Sequence, residues 1–405
     1  MTGAGARGLD LLYVGTLPPH EGGSAMVAAQ VLPGLATMGH RIRAVAPITE
    51  VDLRSGDLFA ERNGGIELNR FVVPYLDVSP DTPPSEEYRR RERRSIERHV
   101  TRSVELERPD VILIGRESFG PHVAPLARAH SIPSVLLIQG ATTMGILNGS
   151  YPRQLAARLI ERLGEADIAV TSARHMRRTL AELGVPDVAI VPNPVDLDRF
   201  RPLPDARTLR DELGISERDV VVAHVSNLKA LKRPLDLVDA AQIALSQDDR
   251  LVFIVVGDGP CRSAVESACA DRDILGAFRF PGWVDHADIP RFINAADIVV
   301  MPSAGEAQAL VYLETQACAR TLIASDIPAA LEVVEHGQTG LLFRTGDVAH
   351  LTETILLAAR EPALRARLGR NARRAVAAHA LERIVAAYAD LLESVAARGV
   401  RTAGG

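Results

Sequence analysis

Residues 302–326 read PSAGEAQALVYLETQACARTLIASD. The run DIVVMPS leading into this stretch and the run TLIAS near its end are short, apolar and β-branched, and read as buried strands. LVYLETQACA between them reads as a helix. Strand, helix, strand means two parallel strands of one sheet joined by a crossover. The stretch also carries two glutamates, Glu306 in the loop and Glu314 about one turn into the helix. Eight positions at 3.6 residues per turn is about 800°, or about 80° off a common face, so helix periodicity does not explain the pair. The residues leave two readings open. Either Glu306 caps the helix and Glu314 faces water, or both carboxylates address one ligand at the helix start. Carboxylates suit sugar hydroxyls because each accepts several hydrogen bonds, and the small AQA segment leaves backbone N–H groups free to reach a phosphate.

The same alternation extends outward. LDLLYVG, RIRAVAP, DVILIG, PSVLLIQG and ADIAVTSA are strand-like runs separated by helical patterns such as GSAMVAAQVLPGLATMGH and PRQLAARLIERLGE. VAIVPNPVDLDRFRPLPDA interrupts the pattern with four prolines and few helix formers, and reads as a linker or hinge. Alternation resumes with DVVVAHVS, LVFIVVGDG and FRFPGWV, each followed by a helix, and then enters the opening stretch. Two helical segments close the chain, the first with a break near Pro362. The fold expected is α/β: two doubly wound parallel-sheet domains, residues 1–195 and 196–377, with a helix of about 378–405 returning to the first. Such sheets bind ligands at their strand carboxyl ends, which places a central cleft between the two domains.

Composition bounds the function. The chain has 405 residues, 47% apolar and 24% charged, as in a soluble globular protein of two domains. A net charge of −5 weighs against nucleic-acid or anionic-membrane partners. The three cysteines, Cys261, Cys269 and Cys318, lack metal spacing and fit a reducing, cytoplasmic compartment. No apolar run reaches the ~18 residues of a membrane span, and MTGAGARGLD lacks the apolar core of a secretory signal. The arginine-rich segment SEEYRRRERRSIERHV reads as a solvated helix face with Glu–Arg pairs rather than a basic docking patch.

Two further segments could carry chemistry. Gly22 and Gly23 sit between a strand and a helix start, where free N–H groups and the helix dipole suit a phosphate, although such a pair also serves a plain turn. His224, Lys229, Lys232 and Arg233 follow the first strand of the second domain, where cations could clamp a pyrophosphate or could be surface charges. GDGP at 257–260 lacks the third glycine of a dinucleotide fingerprint.

Taken in order, Gly22-Gly23, VPNPVDLDRFRP, Lys232-Arg233, VVGDGP, PGWV and PSAGEAQALVYLETQACA…ASDIPAALEVVEHGQTGLLF resemble the family 4 retaining glycosyltransferases of the GT-B fold, which pairs two Rossmann-like domains. The resemblance covers nearly the whole chain, is strongest over 191–343, and in VSNLKALKR is closest in style to glucosaminyl-malate synthases. It implies that Gly22 and Gly23 approach the donor phosphate and that Lys232 holds the pyrophosphate. Lys229 and Arg233 would assist, with Asn227 standing where the family has an arginine. It implies that Glu306 binds the donor sugar and stabilises positive charge at the anomeric carbon, that Glu314 accepts from the ribose hydroxyls, that the amides of Ala309, Leu310 and Val311 cradle the distal phosphate, and that Trp283 and Val284 flank the base. Gln139 takes the place of a family histidine and would be a third catalytic position beside Glu306 and Lys232. Glu306-Ala307-Gln308-Ala309 replaces Glu-Gly-Phe-Gly, and Ala319 replaces a glycine. Acceptor candidates lie in first-domain loops at 22–24, 116–122 and 139–149: His20, Ser24, Arg116, Glu117, His122 and Thr142, with His20 and His122 also considered as substitutes for the missing histidine.

The expected activity is retaining transfer of a sugar from a UDP- or GDP-sugar to a small soluble acceptor, in specialised-metabolite or small-thiol biosynthesis. No metal or other cofactor is implied, because no His/Cys set with metal-ligand spacing appears. No nucleic-acid partner is expected, and a homodimer is left open. Rival readings are a non-catalytic sugar-nucleotide-binding protein, a lipid-acceptor transferase, and a nucleotide-sugar epimerase.

Overall fold

The computed structural model describes residues 8–402 apart from 20–21, 51–52, 54–58, 60–62, 64, 74–85, 148 and 205. The chain divides into two compact units, Met1–Pro194 with Leu381–Gly405, and Val195–Ala380.

The first unit is built on a seven-stranded sheet of β1 (Asp10–Val14), β2 (Arg41–Thr49), β3 (Ile66–Val73), β4 (Val111–Ile114), β5 (Ser134–Ile138), β6 (Ile168–Thr171) and β7 (Val188–Ile190). The order is β3-β2-β1-β4-β5-β6-β7, and every pairing is parallel. Helices α1 (Gly23–Thr37), α2 (Glu86–Leu106), α3 (Gly120–Ala129), α4 (Ala141–Leu147), α5 (Arg153–Leu163) and α6 (Arg174–Glu182) connect the strands. Every residue of β4 and β5 is buried, which is why these strands are continuous apolar runs: parallel strands are covered on both faces. Each enclosed Val, Leu or Ile contributes about 1.5–3 kcal/mol.

The second unit repeats the plan with β8 (Val220–Val225), β9 (Leu251–Val256), β10 (Phe278–Gly282), β11 (Ile298–Met301), β12 (Thr321–Ser325) and β13 (Leu341–Phe343). They are ordered β10-β9-β8-β11-β12-β13 and are again parallel. Its helices are α7 (Ala206–Glu212), α8 (Pro234–Leu245), α9 (Arg262–Asp271), α10 (Ile289–Ala295), α11 (Leu310–Ala317), α12 (Pro328–Leu331), α13 (Val348–Arg360) and α14 (Pro362–Ala375). The last helix, α15 (Leu381–Thr402), packs on α1 of the first unit. Gly34 of α1 makes room for it, since a Cβ there would come within 2.6 Å of Val385.

In each sheet the order runs outward from one strand and then reverses. The reversal falls between β1 and β4, and between β8 and β11. Neighbouring crossovers leave opposite faces at such a point, and a ligand can enter beyond the strand carboxyl ends.

Several elements were not apparent in the sequence. Val188–Ile190, inside the stretch read as a linker, adds an edge strand, and the following Val195 and Phe200 are buried in the second unit's core. β3 is half-exposed and interrupted by charged and polar residues, so it lacks the buried-strand pattern. The supposed loop at 139–149 contains α4, and 116–122 folds as a 3₁₀ turn running into α3.

Candidate donor and acceptor sites

Registers Ile298↔Val222 and Val299↔Ala223 set β8 and β11 side by side, so the loops after them leave the same edge of the sheet. A main-chain bond ties those loops together, with Ala304 N–H donating to the Leu231 carbonyl at 2.8 Å. Lys232 from the first loop then meets Glu306 from the second: Nζ donates to Oε1 at 2.5 Å, and Ser303 Oγ donates to the same oxygen at 2.7 Å. The lysine and glutamate side chains are 19% and 9% exposed. The fold thus joins two of the catalytic candidates across 74 residues at the switch point.

Capping does not explain Glu306. α11 starts at Leu310, and the residue at its N-cap is Ala309, three positions beyond Glu306. Nor is Glu314 solvated: it is 3% exposed, and His286 Nε2 lies 2.7 Å from its Oε1.

The loop after β8 is held from below. His224 is fully buried: its Nδ1–H donates to the Val300 carbonyl at 2.9 Å and its Nε2 accepts from the Ser226 hydroxyl at 2.8 Å, while Ser226 Oγ accepts from the Leu228 amide. Burial pushes its pKa down to about 4. The expectation of a cation at His224 is therefore corrected: the imidazole is a neutral strut beneath the loop. Gly257 (φ +115) and Gly259 (φ +150) press against the same loop, and a Cβ on either would overlap the carbonyl oxygen of Ser226 or Asn227. That packing accounts for the two glycines of GDGP without a dinucleotide.

Of the other donor candidates, Arg233 turns away, pairing with Asp236 of α8 at 2.7 Å. Lys229 N-caps the 3₁₀ turn that carries Lys232, while Asn227 Oδ1 is enclosed without a hydrogen-bond partner. Trp283 is half exposed just after β10, and Val284 packs on the core.

In the first unit, Gly22 (φ +131) is the N-cap of α1 and Gly23 its first residue, with Ser24 half-buried after them. A Cβ on Gly23 would meet nothing within 4 Å, so the fold itself does not demand that glycine. Arg116 follows β4 and lies over the Phe119 ring at 5.4 Å, with Nη1 enclosed and unpartnered. Glu117 is placed differently from a loop ligand. It is 4% exposed, and its carboxylate accepts from the Gly140 amide and from the Thr143 amide at 2.9 Å. Burial raises its pKa, opposed by those amides. Glu117 thereby fixes the start of α4, beside half-buried Gln139 and buried Thr142. His122 is corrected from a loop to α3, where burial and nearby Arg93 push its pKa down to about 4. At neutral pH it is uncharged, with Arg93 and Glu97 of α2 and Arg162 of α5 nearby. His20 lies outside the described residues.

The sequence reading missed Ser303, His224 as a strut, and His286. The signal for the last was its place, three residues after Trp283 in the loop leaving β10. Among the described residues no group of three or more His, Cys, Asp or Glu could hold a metal, and no helix is long and apolar enough to cross a membrane.

Two doubly wound parallel sheets of this order, the second with a lysine–glutamate pair at its switch point, define a scaffold of the GT-B class. The family models divide the chain in the same way: Glycosyltransferase Family 4 matches residues 21–199, and Glycosyl transferases group 1 matches 205–375. The chain belongs to the family 4 glycosyltransferases. It is 33% identical over 262 residues to a D-inositol 3-phosphate glycosyltransferase of Geodermatophilus obscurus, covering 60% of this chain and 57% of that one. It is 28% identical over 215 residues to an N-acetyl-alpha-D-glucosaminyl L-malate synthase of Bacillus anthracis, covering 52% and 55%. The match spans about half the length of these curated relatives. Among solved structures, Anabaena HepE in complex with UDP-glucose superposes with a TM-score of 0.78 at 19% identity, covering 95% of this chain and all of that one.

Proposed function

We propose that this protein is a retaining glycosyltransferase that moves a sugar from a nucleoside diphosphate donor to a small soluble acceptor. The observation that carries this reading is the Lys232–Glu306 pair at the β8/β11 switch point, beside the start of α11. In this reading the second unit binds the donor. Lys232, helped by Lys229, neutralises the leaving diphosphate, and the first amides of α11 take its distal phosphate. Glu306 accepts from the donor-sugar hydroxyls, and its charge favours the oxocarbenium-like carbon of the transition state. Glu314 accepts from the ribose, and Trp283 lies beside the base. The acceptor hydroxyl attacks the anomeric carbon from the face the diphosphate leaves. The C–O bond to the diphosphate breaks as the new C–O bond forms, and the acceptor proton passes to a diphosphate oxygen.

The first unit takes the acceptor at its own switch point, through Arg116 and the residues around Gly22 and Ser24. A Gly23 that the fold does not require supports close approach of a ligand there. UDP is the preferred nucleotide and GDP the alternative; a mycobacterial relative is named as GDP-mannose-dependent.

The test is a screen of UDP- and GDP-sugars for thermal stabilisation, followed by transfer assays with Glu306→Ala and Lys232→Ala. Loss of donor use in both variants is expected. Unchanged donor use in both would refute the site, and a protein that binds nucleotide without transfer or donor hydrolysis would be a binding module.

A further inference from the structure

Glu314 sits on α11 with 4% of its side chain exposed, and among the described residues its carboxylate has one hydrogen-bond partner, His286 at 2.7 Å. Two carboxylate oxygens offer about four acceptor positions, so most of a buried charge is left without bonds. Buried polar groups are normally satisfied, and exceptions call for an explanation. The histidine is just as single-minded. Its Nδ1 is enclosed and has no hydrogen-bond partner among the described residues, so within them its one polar link runs through Glu314. Nε2 is the ring nitrogen that meets the Glu314 carboxylate oxygen and donates to it. The ring is braced by Phe200, whose centroid lies 5.4 Å away at 52°. Phe200 is itself buried, and its carbonyl accepts from Arg373 of α14 at 2.8 Å.

We infer that His286 is the positioning residue for ribose recognition: it pins Glu314 Oε1 so that the remaining acceptor positions face the two ribose hydroxyls of the nucleotide. This rests on the reading that Glu314 meets the ribose. A carboxylate on a helix can swing among rotamers, and the bond from His286, fixed by Phe200, selects one. The selected rotamer makes the site a reader of the 2′-hydroxyl, so His286 determines discrimination between ribo- and deoxyribonucleotides as well as affinity.

The experiment measures binding of UDP and 2′-deoxy-UDP (GDP and 2′-deoxy-GDP if UDP does not bind) to the wild type, His286→Ala and His286→Gln, together with KM and kcat for transfer. The wild type should prefer the ribonucleotide by about tenfold or more, the worth of a hydrogen bond to a charged group. His286→Ala should weaken ribonucleotide binding about tenfold and leave the deoxy form nearly unchanged, so that the preference collapses. KM for the donor should rise about tenfold with kcat within about twofold. His286→Gln, whose amide can still donate to Glu314, should recover part of the preference even if His286→Ala folds poorly. Retention of the full preference in His286→Ala, or no recovery in a folded His286→Gln, overturns the inference and leaves the donor site standing. Equal binding of the two nucleotides by the wild type overturns both the inference and the ribose role of Glu314. Failure of the wild type to bind either nucleotide refutes the proposed function and the inference with it.

Discussion

The Lys232–Glu306 pair should show itself as a measurable coupling, separable from catalysis. The contact is 2.5 Å long, with the lysine side chain 19% and the glutamate side chain 9% exposed. At an effective dielectric constant of about 20, two unit charges at that distance attract by about 7 kcal/mol, most of it offset by desolvation. Removing one partner is another matter, because it strands the other. Lys232→Met takes away the ammonium that faces the Glu306 carboxylate and keeps the 2.7 Å bond from Ser303. Breaking a fully buried pair costs about 3–5 kcal/mol, and the partial exposure of the lysine sets the expectation near about 3 kcal/mol. Glu306→Gln should cost about 2 kcal/mol. The double variant, with no stranded charge, should be destabilised by about 2 kcal/mol less than the sum. Trp283 is the chain's single tryptophan and lies in the same unit, so its fluorescence reports unfolding of that unit. At about 2–4 °C per kcal/mol for a unit of this size, Lys232→Met should melt about 6–12 °C below the wild type. Transfer should be lost in all three variants. Singles that add within about 0.5 kcal/mol would refute the pairing. A double variant that regains turnover along with stability would refute the chemical role.

Three other outcomes are expected. His224 has a folded pKa of about 4 against an unfolded value of about 6.5, so the unfolded chain binds more protons between those values. Its contribution, about 3 kcal/mol, is present above pH ~6.5 and lost as pH falls through about 4; denaturant titrations of wild type and His224→Asn over this window should diverge by that amount, and parallel curves would count against it. Gly259→Ala should displace the Ser226–Leu228 turn that its Cβ would strike, raising KM for the donor at least about tenfold; an unchanged KM would mean that the turn does not position Lys232. Ala319, at φ +54 just past α11, holds a left-handed backbone suited to glycine. Ala319→Gly should gain about 0.5–1 kcal/mol in thermal unfolding, and a loss would show that the strain is absorbed elsewhere.

The outline of the fold was legible because parallel strands covered on both faces leave unbroken β-branched runs, and the crossover helices between them leave longer mixed ones. β8, β9 and β11 are entirely buried and stand out in this way. β3 and β7 did not, since an edge strand with polar neighbours or only three residues has no such signature. Glu306 and Lys232 were legible as candidates because each falls in a loop directly after a strand, where doubly wound sheets place ligands.

By itself, the sequence determined the residue types and their offsets from strand ends: a lysine shortly after one buried run, a glutamate shortly after another, glycines ahead of the first helix. Only the tertiary structure decided which of them meet. Strand order makes β8 and β11 neighbours although two strands lie between them in the chain, and that adjacency brings Lys232 to Glu306. The same is true of His286 and Glu314, 28 residues apart on different elements, and of His224, which a burial that no local pattern reveals turns from an apparent cation into a neutral strut. Local periodicity is written in the order of residues, whereas charge partners and pKa values depend on what the folded chain sets alongside each group.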